Sequence, residues 1–160
     1  MMKIQKIIVL LILSVFISCT KTAEELLELS ENNLQNSKID LAISDLEKLL
    51  KKHPNDSLAS KAQYMLGDVY MNDFRDFTTA IQEYRKVIDK YSESEQEPHA
   101  QFMIGYIYAN VINDEKSAKI EYQEFLKKFP NHELAPSVKF EIDYLGKSIE
   151  EIPALKHITS

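Results

Sequence analysis

The chain repeats itself every 38 residues, and this register constrains the fold more than any other feature. Ala42, Ala80 and Ala118 stand in line, and the span Ala62-Gln63-Tyr64-Met65-Leu66-Gly67 returns as Ala100-Gln101-Phe102-Met103-Ile104-Gly105. A period of this size with two helical stretches per unit builds a solenoid, in which each unit buries its apolar face only against its neighbours. Such stacking produces an extended binding surface and not a catalytic pocket.

Apolar spacing predicts seven helices. Thr22-Ala23-Glu24-Glu25 reads as a capping box, with the threonine accepting from the N3 amide and Glu25 reaching back to the cap amide. The helix it opens carries Leu26, Leu27, Leu29 and Leu34, and Asn36 and Ser37 end it. A second helix over 38–53 is expected to bury Leu41, Ala42, Leu46, Leu49 and Leu50. Further helices follow over roughly 57–71, 77–91, 97–111, 115–129 and 135–147, with ends good to a few residues. No stretch alternates with period two and the chain holds only three glycines, so no strands are expected. Pro98 and Pro136 lie one period apart near two helix starts, where a missing amide proton costs least. Residues 148–160 contain Pro153, lose the pattern and read as a C-terminal tail.

The chain's beginning decides where this solenoid works. Lys3 and Lys6 precede the apolar run Ile7 to Ile17, and Ser18 stands directly before Cys19. That is the layout of a signal peptide over 1–18, because an eleven-residue run is too short to cross a bilayer core as a helix. Cys19 is the only cysteine, so no intramolecular disulfide can use it. Phe16-Ile17-Ser18-Cys19 resembles a bacterial lipobox, which implies lipidation of Cys19 as the new N-terminus; several acyl chains there would anchor the chain stably. Thr20 after the cysteine carries no aspartate-type retention signal, so this resemblance favours an outer-membrane address.

Removal of residues 1–18 takes both of those lysines, leaving 142 residues with 17 basic against 25 acidic side chains and a formal charge of −8. Such a surface repels nucleic acid and anionic head groups, so membrane attachment must come from the lipid. Residues 19–21 form a tether of at most about 10 Å, which seats the 22–147 solenoid close to the membrane.

The repeat itself resembles the tetratricopeptide repeat. Leu66-Gly67, Tyr70, Ala80 and Tyr84 match that family's small and large packing positions, and Ile104-Gly105, Tyr108, Ala118, Tyr122 and Pro130 match them again. Leu29-Ser30, Ala42, Leu46 and Pro54 form a looser first unit. A glycine costs about 1 kcal/mol inside a helix, which is tolerable if Gly67 and Gly105 let the paired helix approach; Ala80 and Ala118 are expected on the other side of that contact, and Tyr70, Tyr84, Tyr108 and Tyr122 in the core. The resemblance implies an all-α, right-handed α-solenoid of antiparallel helix pairs, about three repeats plus a closing helix. Lys51-Lys52-His53-Pro54-Asn55-Asp56-Ser57 and Lys127-Lys128-Phe129-Pro130-Asn131-His132 are similar to stretches of periplasmic tetratricopeptide lipoproteins of the BamD type and of the Tol-Pal-associated type.

In this family the first helix of each pair lines a concave groove. Carried over by position, the groove residues are Tyr64, Asp68 and Met71, then His99, Phe102, Tyr106 and Asn110, then Phe140 and Tyr144 on the closing helix. Rings with a carboxylate and an amide suit an extended or helical peptide. The alternative is that these rings fill gaps between stacked helices, the commoner fate of aromatics at helical spacing and the one expected more of Tyr64, Phe102 and Phe140 than of Tyr106 and Tyr144.

Catalytic chemistry finds no footing. His53, His99, His132 and His157 are scattered without metal-ligand spacing, there is no glycine-rich phosphate loop, and the cysteine is used at the signal site. Glu93, Glu95 and Glu97 beside His99 are expected to form a solvated helix start, where carboxylates are favoured without any ligand. No enzyme activity, metal, cofactor, nucleic acid or small-molecule substrate is expected. The functional expectation is a lipid-anchored, periplasm-facing scaffold that binds a protein partner in its groove, with outer-membrane protein assembly as one candidate task. The alternative is a structural cell-envelope or division-associated protein acting through helix contacts or self-association.

Overall fold

The computed structural model describes residues 21–147 and residue 151. The signal segment, Cys19 and, apart from residue 151, the tail lie outside the described residues. Seven helices follow one another: α1 (Ala23–Gln35), α2 (Ile39–Lys52), α3 (Ala59–Asn72), α4 (Phe77–Lys90), α5 (Gln96–Ile107), α6 (Glu115–Lys128) and α7 (Ala135–Tyr144). No strand occurs among the described residues. Each helix packs on the next, so the chain is a TPR-like helical-repeat solenoid of three pairs closed by α7. The core divides accordingly: one cluster joins α1, α2 and α3, a second centres on α4 and α5, and a third on α6 and α7.

The period is visible in the backbone. Ser37, Arg75 and Asn113, spaced by 38, all adopt left-handed φ of 56°, 53° and 59°. Each is the turn residue that reverses the chain between the two helices of a pair, a conformation that costs a non-glycine residue energy and that Asn tolerates best. Asp76 and Asp114 follow in the next position and cap α4 and α6, accepting from the amides of Thr79 and Ser117 at 3.0 Å. The capping box at Thr22 is present as expected, with both reciprocal hydrogen bonds made.

Packing within the pairs turns on a glycine and a tyrosine. A Cβ added at Gly67 would lie 2.5 Å from Cε1 of Tyr84, and one at Gly105 would lie 2.5 Å from Cε1 of Tyr122. Both rings are fully buried. The partner in each close approach is therefore the tyrosine and not Ala80 or Ala118, which are buried one turn earlier on the same helices.

A polar ladder runs through the same junctions. Asp45, Glu83 and Glu121 are spaced by 38 on the second helices. They accept from the side-chain amides of Asn33 (3.0 Å), Gln63 (2.6 Å) and Gln101 (2.7 Å) on the first helices. Each carboxylate also meets a cation, Lys48, Lys86 and Arg85 respectively. Such largely buried carboxylates tolerate removal from water because every one is paired and hydrogen-bonded.

Several expectations need correction. Leu41 is 55% exposed, because its register equivalents are Thr79 and Ser117 and all three sit on the outer side of a helix's first turn. The fifth helix is not α-helical to its end: Tyr108–Ile112 form a π turn. Tyr70 and Tyr108 are only half-buried, packed against the core from its border. Glu97 is not solvated but fully buried, ion-paired with Lys128 and accepting from the Glu93 amide at 2.7 Å.

Candidate functional site

The second and third repeats meet through both of their helices. Backbones of α3 and α5 pack directly, whereas α4 and α6 reach each other through the long Arg85–Glu121 pair, 2.7 Å from nitrogen to oxygen. α3, α5 and α7 are the first helices of their pairs or the closing helix, the ones that the tetratricopeptide resemblance assigns to the inner side.

On α3 the inner residues are tied to one another. The Tyr84 hydroxyl donates to Asp68 Oδ1 at 2.7 Å and lies 3.8 Å from Met71 Sδ, and the Tyr64 ring tilts over Tyr84 with centroids 5.2 Å apart. Burial pushes the Asp68 carboxyl above its ordinary 3.8, offset by the Tyr84 bond. Burial, and secondarily the charge of Asp68, holds both tyrosine hydroxyls far above the usual phenol range. Tyr64, Asp68 and Met71 thus form a half-buried, internally satisfied patch.

On α5 the arrangement is looser. Phe102 lies 6.3 Å from Tyr106 and 6.1 Å from Tyr122, centroid to centroid, and the exposed Asn110 side chain donates to the Tyr106 carbonyl at 3.3 Å. His99 is turned elsewhere: its ring meets His132 edge-on at 5.5 Å, and His132 in turn accepts from the Leu134 amide at 3.2 Å. The histidines are therefore less scattered than their spacing suggests, but the described residues contain no group of three or more His, Cys, Asp or Glu placed to hold a metal ion. On α7, Phe140 is 39% exposed and its ring tilts against Tyr144 with centroids 4.6 Å apart, while Lys147 places its ammonium 4.9 Å over the Tyr144 ring.

Three of the nine sequence-derived positions, Asn110, Phe140 and Tyr144, come together in one open cavity of about 620 Å³ where α5, α6 and α7 meet. Tyr64, Asp68, Met71, Phe102 and Tyr106 sit on the same inner helices outside it, and His99 belongs to the His132 contact. The cavity also holds Glu141, which the sequence reading missed. Its signal was available: position 141 continues the register Met65, Met103 and puts an acid where the repeats have an apolar residue.

An all-helical repeat of stacked pairs defines a TPR-like solenoid protein. The chain belongs to the outer membrane lipoprotein family YfiO, whose sequence profile matches residues 19–151. This agrees with the BamD-type resemblance and gives no support to the Tol-Pal-associated type, and it makes the cell envelope the setting of the protein. No curated protein matches the chain. No helix among the described residues is long and apolar enough to cross a membrane.

Proposed function

We propose that this protein is a lipid-anchored, periplasm-facing adaptor that holds a protein partner against the inner side of α3, α5 and α7. The observation that carries the reading is the half-exposed aromatic run Phe102, Tyr106, Phe140 and Tyr144 on the inner helices of a family of outer membrane lipoproteins. Rings of this kind supply contact area at small entropic cost, with hydroxyls at hand for a bound backbone. The family match begins at the cysteine that the lipobox resemblance selects. The carbonyl of Lys21 accepts from His53 Nε2 at 3.0 Å, which ties the residues just before α1 to the end of α2. Outer-membrane protein assembly is the task we favour for this adaptor.

Photo-crosslinking residues at Tyr106 and Tyr144, compared with Lys86 on α4, test the face. Partner adducts from the first two and none from Lys86 are expected; equal labelling from both sides defeats the proposal.

A second reading, self-association, draws on Leu41, Phe74, Ile112 and Ile120, four of the five exposed large apolar side chains among the described residues, each in or within two turns of the link between the helices of a pair. Phe74 and Ile112 stand one period apart on that edge. Light scattering on the chain lacking residues 1–19 decides it: a monomer is expected if the adaptor reading holds, and a stable oligomer transfers the weight to this edge.

A further inference from the structure

Glu141 brings a carboxylate to a position that two preceding repeats fill with Met65 and Met103. Among the described residues neither Glu141 nor the neighbouring Glu115 takes part in an ion pair. The one cation lining the cavity, Lys147, donates to the Asp143 carbonyl at 2.6 Å and lies over the Tyr144 ring, so it leaves Glu141 without an ion pair and Phe140 as the uncovered ring. Beside the carboxylate is the Tyr122 hydroxyl, which belongs to a fully buried residue, feels the Glu141 charge and holds no hydrogen bond of proper geometry. A buried hydroxyl left in that state is unusual in a folded protein. Burial raises the Glu141 carboxyl above its ordinary 4.5, with the Asn110 amide and Tyr122 hydroxyl opposing the rise.

Around this charge the cavity offers the tilted Phe140–Tyr144 ring pair and about 620 Å³ of open space. A carboxylate next to aromatic faces suits a planar cation, which can hydrogen-bond to the acid through its fork and lie flat on a ring. Lysine offers the charge without the fork. In the second repeat the acid beside the buried tyrosine, Asp68, is already engaged by Tyr84.

We propose that the cavity between α5, α6 and α7 is a subsite for an arginine side chain of the protein partner, its guanidinium meeting Glu141 and the Phe140–Tyr144 rings. This rests on the inner side being the partner-binding face.

The test uses the full-length protein in detergent micelles and a dye-labelled peptide, acetyl-Leu-Arg-Phe-amide, read by fluorescence anisotropy. Replacing arginine by citrulline, or Glu141→Gln in the protein, is expected to weaken binding at least about tenfold, while Lys86→Ala leaves it unchanged. The glutamine is isosteric and still accepts from Asn110, so the fold is preserved, which an unchanged circular dichroism melt verifies. Absence of binding, equal binding of the citrulline peptide, or equal binding to Glu141→Gln overturns the subsite. So does an arginine peptide that binds only after residues 148–160 are removed, because the chain's own tail then claims the cavity. The two proposals fail separately. Partner adducts that persist from Tyr144 in the Glu141→Gln protein sink the arginine subsite alone, whereas loss of face-selective labelling in the unaltered protein sinks the binding face itself.

Discussion

The second and third repeats are built on one frame and differ in how they finish their polar groups. Both set a glycine against a buried tyrosine at the same 2.5 Å spacing from the missing Cβ. In the second, Asp68 sits one residue after the glycine and takes the Tyr84 hydroxyl. In the third, Tyr106 stands in that place, so the Tyr122 hydroxyl faces the nearest acid, Glu141 on the next helix, without the short, well-aligned bond that Tyr84 makes. The first helix of the second repeat stays α-helical to Asn72, whereas that of the third loosens into a π turn, a feature common beside functional sites. Equal packing with unequal polar closure separates a repeat that mainly supports the stack from one that presents a site.

The contrast can be broken most sharply at the glycines. Gly67→Ala and Gly105→Ala both force a methyl into a tyrosine ring, and overpacking of this kind costs about 1–3 kcal/mol. Tyr84 is pinned by Asp68 and Tyr122 is not, so Gly67→Ala is expected to cost about 1 kcal/mol more; equal losses by urea denaturation would erase the distinction. Tyr84→Phe comes next. It leaves the Asp68 carboxylate without its donor, at a cost of about 2 kcal/mol, while Tyr122→Phe removes a hydroxyl that makes no bond of proper geometry and is expected to cost little. A similar loss from both substitutions would show that Tyr122 has a bond after all.

The smallest effect concerns pH. The folded Asp68 and Glu141 carboxyls are raised above their ordinary 3.8 and 4.5, so their ionisation opposes folding at neutral pH and that penalty fades as pH falls through the raised folded values. Asp76 and Asp114 are lowered by their capping bonds, so the stability they contribute is present above 3.8 and is lost as pH falls through their folded values. Asp68→Asn is expected to flatten the melting temperature between about pH 4 and pH 7, and Asp76→Asn to flatten it only below about pH 4. Identical profiles for the two variants would contradict the assignment.

Much of the frame was legible because it is written locally. The 38-residue register gave the helix pairs, Thr22 and Glu25 gave the first cap, and Gly67 and Gly105 marked the close approaches. What stayed hidden depends on residues far apart in the chain. Glu97 looked like a solvated helix-start acid, yet Lys128 lies across from it. His99 and His132 are 33 residues apart and touch only because α5 and α7 begin at the same end of the stack. Leu41 was misplaced by reading its helix alone, although the polar Thr79 and Ser117 at the same phase mark that position as surface. Of the inner side, the register supplied Phe140 and Tyr144, while Glu141 escaped because it departs from the repeat that located its neighbours.

The most direct test compares photo-crosslinking from Tyr64 with that from Tyr144 in the lipoprotein in its own membranes. If the third repeat and the closing helix present the site while the second repeat supports the stack, a partner is captured strongly from Tyr144 and weakly from Tyr64. Capture of the same partner from Tyr64 with Tyr144 silent would contradict the account.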